Sequence, residues 1–289
     1  MLVLVSLLLH LVPGDPVDVM LGEGAAAVDR EELRRAMGLD RPPWLQLADF
    51  TTGAVRGDLG RSIAGGEPVA ALLAQRYPAT LQLAAAALCV AVLVAVPLGT
   101  VAALRPGSMA DRLSLALAAA ETALPTFCLG PLLILAFAVE LPWLPVSGRA
   151  GPASVVLPAV TLGFGMSAVL ARHLRVALAD ALHLDCVRAA RAKGAGPWRT
   201  FLVHALPNAA TATTTVLGLQ LGGLLGGAVV TETIFAWPGI GRLLVQAIGA
   251  RDYPLVQGCV LAVACTYVVV NLLTDLAQAV LDPRQRERP

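Results

Sequence analysis

Side chains that could perform acid–base, metal or nucleophilic chemistry are few in this sequence and lie far apart. The histidines are widely spaced, at His10, His173, His183 and His204. The five cysteines have neither metal-ligand nor disulfide spacing. No G-x-x-x-x-G-K-[ST] motif is present to hold nucleotide phosphates. We therefore expect no catalytic residue, no metal site and no cofactor, and no enzyme activity from this chain on its own.

Three polar residues interrupt otherwise apolar stretches, namely Glu121, Asn271 and Asp275. A charge inside a membrane is costly unless it faces a helix-bundle interior, a water-filled cavity or the membrane surface. Asn271 and Asp275 are one helical turn apart and therefore share a face. Both a polar contact near the inner leaflet and a role in transport are open for these residues.

The segment 172–208 concentrates basic residues between two apolar stretches. Within it, Asp185 is predicted to cap a short helix over 186–193, and Gly194 is predicted to end that helix. Basic residues follow along this helix at Arg188, Arg191 and Lys193. Positive charge in the last turn suits the negative end of the helix dipole.

The adjacent Ala189 and Ala190 leave one side of this short helix without bulk, so a groove of another protein could approach its backbone closely. A second amphipathic piece, 198–206, follows and leads through Pro207 into the next apolar stretch. The alternative is that the basic loop only sets the orientation of the chain in the membrane. Charge alone does not decide between these two interpretations.

Composition places these residues in a membrane protein. The 289 residues are 57% hydrophobic and 14% charged, and the mean hydropathy is +0.73; soluble domains carry about 25% charged residues. Uncharged stretches long enough to cross a bilayer cover 77–104, 150–171, 200–231 and 253–274, while 113–139 contains only Glu121. With a shortened apolar segment at 1–13, the sequence predicts an all-α polytopic protein of about six transmembrane helices.

The basic residues that flank these stretches favour an orientation with both termini in the cytoplasm, because cytoplasmic loops are rich in lysine and arginine. The region 14–76 has an excess of acidic residues and is expected to form an external loop. The predicted organisation is a first helix at 1–13, this external loop at 14–76, a transmembrane core at 77–281 that includes the cytoplasmic loop 172–208, and a cytoplasmic tail at 282–289. The formal net charge of +1 gives no reason to expect nucleic acid as a partner.

One spacing pattern in the cytoplasmic loop resembles a known signature. The pattern runs Ala189-Ala190, three residues, Gly194, nine residues, then His204-Ala205-Leu206-Pro207. It resembles the E-A-A-x3-G-x9-I-x-L-P signature of binding-protein-dependent ABC importer permeases, with Arg188 in place of Glu and His204 in place of Ile. The strings A-R-A-K-G and H-A-L-P-N are similar to the dipeptide, oligopeptide and nickel permease branch. Further similar segments are 11–16, 57–62, 78–81, 232–241, 251–254 and 282–284.

The resemblance implies a type I ABC importer permease in the plasma (inner) membrane. It implies a second permease chain, forming a heterodimer, two cytoplasmic P-loop ATPase subunits that hold ATP and Mg, an external solute-binding protein and membrane lipid as partners. It also implies that the short loop helix couples to an ATPase. The residues implied in coupling are Asp185, Arg188, Ala189, Ala190, Arg191, Lys193, Gly194, His204, Leu206 and Pro207.

Glycines recur at four-residue steps in the apolar stretch 200–231, at Gly218, Gly222 and Gly226, with Gln220 among them. Small residues at this spacing let helices pack closely in membranes. Packing against another helix is favoured, and lining of a transport pathway is the alternative for this set and for Asn271 and Asp275.

The expected function is transport of short peptides, or of a nickel complex or related small solute, driven by separate ATPases. The alternatives are an ion-coupled secondary carrier that uses Glu121 and Asp275, and a membrane assembly protein without a pathway. The signature loop, which a secondary carrier does not need, favours the importer.

Overall fold

The computed structural model describes residue 31 and residues 40–281. The predicted first helix at 1–13, the tail at 282–289 and the matching segments 11–16 and 282–284 lie outside the described residues. Between residues 40 and 281 the chain is helical, and the only pairing of extended backbone there is one isolated bridge, between Arg61 and Pro68. This confirms the all-α class.

Ten α-helices follow one another between residues 40 and 281. They are α1 (Pro43–Val55), α2 (Val69–Leu104), α3 (Met109–Ala123), α4 (Thr126–Ile134), α5 (Val156–Ala181), α6 (Asp185–Ala192), α7 (Pro197–Thr200), α8 (Leu206–Ile234), α9 (Ile240–Gly249) and α10 (Tyr253–Leu281). A π-helical segment, Leu135–Glu140, extends α4, a 3-10 turn, Pro152–Val155, precedes α5, and a second π-helical segment, Phe201–Ala205, joins α7 to α8.

Four continuous helices in the described residues are long and apolar enough to cross a membrane: Val69–Leu104, Pro152–Ala181, Pro197–Ile234 and Tyr253–Val280. The expected single span at 113–139 is instead a helix pair, α3 and α4 with its extension, bent by 102°. Leu124 adopts extended backbone angles at the bend because the ring of the following Pro125 disfavours the helical conformation there. The described part therefore contains at most five spans, and the predicted count of six is not confirmed.

Two helices extend beyond the uncharged stretches that predicted them. Helix α2 begins at Val69 rather than near residue 77, and α5 continues to Ala181 rather than ending near 171. Arginine is a good helix former, so a charge on a helix end does not terminate it. Of the predicted loop 172–208, residues 182–196 lie between the long helices Pro152–Ala181 and Pro197–Ile234.

The chain divides into two compact units. The described residues of the first unit are 40–81 and 237–266. Its core is formed where the start of α2, helix α9 and the start of α10 meet, through Val69, Leu73, Ile240, Leu243, Ala247, Leu255, Val256, Cys259 and Val260. Gly258 permits this approach, since a Cβ atom there would lie 2.5 Å from Cγ1 of Val69.

Segments that carry the family resemblance meet inside this first unit. Asp252, which is fully buried, accepts a very short hydrogen bond from the Ser62 hydroxyl and another from the Ala64 amide at 3.2 Å. The Trp237 indole donates to the Ala79 carbonyl at 2.8 Å. Motifs far apart in the sequence thus hold one another in place, which gives them a structural role.

The second unit contains residues 82–236 and the described residues 267–281. Helix α5 is its centre, packing against α3, α4 and α8. Two glycines bring α2 against α5, because a Cβ atom on Gly163 would lie 2.7 Å from the Ala87 carbonyl oxygen and one on Gly99 would lie 2.8 Å from the Ala171 carbonyl oxygen. Backbones this close leave no space for a side chain at either position.

Candidate functional site

The short helix predicted in the basic loop is present as α6, Asp185–Ala192. Its N-terminal capping position is Leu184, whose side chain makes no capping hydrogen bond, so the prediction that Asp185 caps the helix is wrong. Asp185 is the first helical residue, and its carboxylate lies 3.6 Å from the Arg188 guanidinium. Gly194 ends the helix as expected: it has a left-handed φ of +81°, which glycine adopts without steric cost.

The two alanines of α6 point in different directions. Ala190 is buried together with Val187, whereas Ala189 is exposed. The expectation of one small-residue face made by both alanines is therefore wrong, because residues adjacent in sequence lie 100° apart around a helix. Ala189 alone leaves the outward side without bulk, between the exposed Arg188 and Arg191.

A compact apolar cluster fastens α6 to two long helices. Val187 is completely buried in it, and the other members are Ala103 of α2, Leu174, Leu178 and Ala181 of α5, Phe201 and Ala205 of the π-helical segment, and Ala209 of α8. Burial of a valine side chain contributes roughly 1.5–3 kcal/mol. The cluster therefore joins α6 to α5 and α8 in one tightly packed contact.

The remaining predicted coupling residues lie where α7 continues into α8. His204 belongs to the π-helical segment Phe201–Ala205 and is half-buried, and its carbonyl accepts a hydrogen bond from the Asn208 side chain at 2.7 Å. Leu206 packs against the apolar cluster, and Pro207 is exposed in the first turn of α8. Pro207 has no backbone N–H to donate into the preceding turn, which accounts for the locally widened helix at this point.

An exposed apolar patch lies beside α6, within the amphipathic piece predicted at 198–206. Trp198 is 72% exposed and stands edge-on to Phe201, with ring centroids 6.3 Å apart. Leu202 is also exposed. Trp198 and Leu202 stand at the start of the long apolar helix Pro197–Ile234, and the type of Trp198 and its place beside a polar loop were the available sequence signal.

Sequence reasoning missed a charged pair in the second unit, between the first turn of α3 and α5. Arg175 Nε lies 2.5 Å from Asp111 Oδ1, its Nη2 donates to Oδ2 at 3.2 Å, and the Gly107 amide donates to the same oxygen at 2.9 Å. Asp111 is 6% exposed. The serine-x-x-aspartate spacing of Ser108 and Asp111 before an apolar run was a visible capping signal, whereas the pairing with Arg175 was not.

The glycines at four-residue steps in α8 have different surroundings. A Cβ atom on Gly218 would lie 2.1 Å from Thr274 Cγ2, and one on Gly222 would lie 2.6 Å from the Tyr267 ring. Gly226 has nothing within 4 Å of that position. Gly218 and Gly222 therefore pack α8 against the second half of α10 within the same chain, and Gly226 does not take part in this contact.

Replacing Gly218 with alanine is expected to destabilise the isolated subunit by about 1–3 kcal/mol, the usual cost of overpacking a core. The clash is with a branched side chain whose own Cβ would be 2.9 Å away, so rotation of Thr274 cannot remove it. Gly226→Ala is the matched control; it gains up to ~1 kcal/mol of helix propensity and meets no atom. Melting temperatures in detergent should fall for Gly218→Ala and not for Gly226→Ala, and Thr274→Ala should recover part of the loss. Equal melting temperatures for both glycine variants would contradict the assignment.

Within the described part of the chain, the polar residues predicted in the spans do not form hydrogen bonds with one another. Gln220 and Asn271 are half-buried, and Asp275 is exposed. Asn271 lies on the α10 face that carries Tyr267 and Thr274, since these positions are separated by one and two helical turns. Glu121 is half-buried near Gly165 of α5, where a Cβ atom would lie 3.6 Å from its Cγ.

Comparison with known proteins shows which family this chain belongs to. Residues 95–287 match the family model described as the binding-protein-dependent transport system inner membrane component. The chain belongs to this family. It is therefore the permease component of an ABC importer, and neither the secondary carrier nor the assembly protein considered above is compatible with that membership.

Curated relatives agree over nearly the whole chain. The permease is 40% identical over 284 residues to the glutathione transport system permease protein GsiC of Escherichia coli O6:H1 (strain CFT073), with 98% of this chain and 93% of that protein covered. Identity and coverage are the same for GsiC of Escherichia coli strain K12. Such relatives are membrane subunits and are not themselves enzymes.

The fold also has a solved counterpart. The MetNI methionine ABC transporter, solved in an inward-facing conformation, has a chain that is 21% identical to this permease with a TM-score of 0.58. The match covers 73% of this permease and 96% of that chain. The likeness confirms an ABC importer permease fold for the permease.

Proposed function

We propose that this permease carries short peptides across the plasma membrane, in an importer whose ATP is hydrolysed by two separate P-loop ATPase subunits. The observation that carries the proposal is α6: one side is fixed to α5 and α8 by a buried cluster, and the other side exposes Ala189 between basic residues. A rigid element placed between two spans suits the transmission of a partner's movement, because its displacement must tilt both.

The partners in this proposal follow from that surface. The exposed side of α6, with the neighbouring Trp198 patch, receives an ATPase on the cytoplasmic side, where ATP and Mg are bound by the ATPase. A second permease chain completes the pathway as a heterodimer, and an external solute-binding protein delivers the substrate. Both termini of the permease lie in the cytoplasm in this orientation.

Short peptides are the proposed substrate class because the relatives at 40% identity are named for the transport of glutathione, which is a tripeptide. The family resemblance that first suggested peptides also includes nickel complexes. No observation on the described residues favours a nickel complex over a peptide.

The test is reconstitution of the permease with its partner permease, the ATPases and the binding protein encoded beside it. The permease should bring down a P-loop ATPase on purification, and proteoliposomes should accumulate glutathione, tri-alanine or a dipeptide only with ATP. An ATPase that binds but cannot hydrolyse ATP is the control and should abolish accumulation. Uptake that persists with the inactive ATPase, or uptake of a nickel complex in place of every peptide, would overturn the proposal.

A further inference from the structure

The first unit, 40–81 and 237–266, contains a cavity of about 560 Å³ that none of the roles above explains. One wall is a face of α1 that includes Phe50, and the opposite wall is the loop from Asp58 to Ile63. The first turn of α10 contributes Tyr253 and Gln257. A volume of this size is within the roughly 300–1,000 Å³ range of small-molecule sites.

The walls of this cavity are held by specific contacts. Gly53 of α1 lies so close to the loop that a Cβ atom would be 2.7 Å from the Asp58 carbonyl oxygen, and the Asp58 amide donates to the Gly53 carbonyl at 2.9 Å. The loop is fixed at its far end by the buried Asp252, which accepts the hydroxyl hydrogen bond of Ser62. The cavity is therefore formed before any ligand arrives.

One polar side chain in the cavity has no partner of its own. Gln257 is only 6% exposed and lines the cavity, and its amide makes no hydrogen bond to any described residue. An amide carries both a donor and an acceptor, so the group it would satisfy best is another amide.

Two charged side chains of the loop are available to the same cavity. Asp58 accepts only the nearby Gly60 amide, at 2.9 Å, and Arg61 donates to the Gly66 carbonyl at 3.1 Å. Neither forms an ion pair with a described residue. The other two charges of the lining, Arg41 and Asp49, are 3.1 Å apart and neutralise each other.

We propose that this cavity binds a short zwitterionic peptide, with the ammonium group at Asp58, the carboxylate at Arg61 and a backbone amide at Gln257. A carboxylate, a guanidinium and an amide are together complementary to the two ends and the middle of such a ligand, and a guanidinium binds a carboxylate more specifically than a lysine does. The inference rests on the proposed function and adds to it a receiving site on the permease, in the region expected to face outward.

The test measures binding to the complete permease–ATPase complex in lipid nanodiscs, without the binding protein. The probes are glutathione, tri-alanine, N-acetyl tri-alanine and tri-alanine amide. Arg61→Gln should weaken binding of tri-alanine by about tenfold, which corresponds to ~1.4 kcal/mol, and should leave binding of tri-alanine amide unchanged. Asp58→Asn should likewise weaken tri-alanine and leave N-acetyl tri-alanine unchanged.

Each variant should lose affinity only for probes that carry the charged end it is proposed to bind. Misfolding would instead weaken the binding of all probes. Gln257→Met retains side-chain length, removes the amide and should weaken all probes several-fold. Arg56→Gln is the matched control, since Arg56 is an exposed arginine of the same loop region outside the cavity, and it should bind every probe as the wild type does.

The outcomes separate this inference from the proposed function. If the wild-type importer accumulates peptide but its permease–ATPase complex binds no probe saturably, the cavity is not a peptide site and the proposed function stands. The same conclusion follows if Arg61→Gln weakens tri-alanine and its amide equally. If the complex binds the probes with the expected end-dependence but no peptide is accumulated, the cavity is a peptide site and the proposed function fails.

Discussion

Peptide uptake is expected to fall by about tenfold or more when Ala189 is replaced by tryptophan, because a loss of ~1.4 kcal/mol in ATPase binding is already a factor of ten. Ala189 is exposed on α6, whereas Val187 and Ala190 are buried. The substitution therefore leaves the internal packing of α6 unchanged and places a large indole on the side proposed to enter the ATPase. Overpacking a close contact costs about 1–3 kcal/mol.

The measurement is ATP-dependent uptake in proteoliposomes, with co-purification of the ATPase as a second reading. Ala150→Trp is the matched control, since Ala150 is also an exposed alanine but belongs to a different loop, expected on the outer side. Both variants should melt at the wild-type temperature. Wild-type uptake and an intact complex in Ala189→Trp would remove α6 as the coupling element.

Removal of the Asp111 carboxylate is expected to destabilise the second unit strongly. Asp111→Ala leaves the Arg175 guanidinium without the partner it holds at 2.5 Å and removes the acceptor of the Gly107 amide. Removing one member of a buried ion pair is strongly destabilising, and the partial exposure of Arg175, 31%, reduces that loss. The melting temperature in detergent should therefore fall by several degrees.

The double variant Asp111→Leu with Arg175→Met separates the charge effect from the packing effect. Replacing both members of a buried pair with apolar residues of similar volume is often nearly neutral, so this variant should melt close to the wild type. Arg112→Ala, at an exposed neighbouring position, is the control and should change little. A double variant as unstable as Asp111→Ala would show that the pair does not account for the loss.

Uptake measurements on the same variants extend this prediction to transport. Arg175 belongs to α5, whose next turn supplies Leu178 to the cluster that fastens α6. The pair therefore links the start of α3 to the helix against which α6 is packed. We expect Asp111→Ala to reduce uptake per folded molecule, and not only the amount of folded protein. In the double variant, the melting temperature should return closer to its wild-type value than uptake does.

Local chemistry in the sequence was enough to predict the long helices, the short helix in the basic loop and the end of that helix at Gly194. Each depends on neighbouring residues: a run of apolar side chains must leave water, and a glycine accepts left-handed backbone angles wherever it stands. The family signature lies in the same local segment. This explains why the permease fold and the importer class could be predicted before any tertiary contact was known.

At the bend between α3 and α4, the sequence contains a helix-breaking proline whose effect the hydropathy of the whole stretch concealed. Pro125 stands in the middle of the stretch predicted as one span, and hydropathy averaged over the whole stretch does not register a single proline. A proline inside a helix removes a hydrogen bond and restricts the preceding residue. The chain breaks there, and the two parts diverge by 102°.

What the sequence alone determined, then, is that this chain is a helical membrane permease with a short helix in a basic loop. Only the tertiary structure decided that Ala189 faces outward while Ala190 is buried, that Gly218 and not Gly226 packs against Thr274, and that Asp111 pairs with Arg175. It also placed Gln257 beside the loop of Asp58 and Arg61. The physical reason is that each of these facts depends on which residues distant in sequence come into contact, and a helical pattern repeated every 3.6 residues does not specify which neighbour its faces will meet.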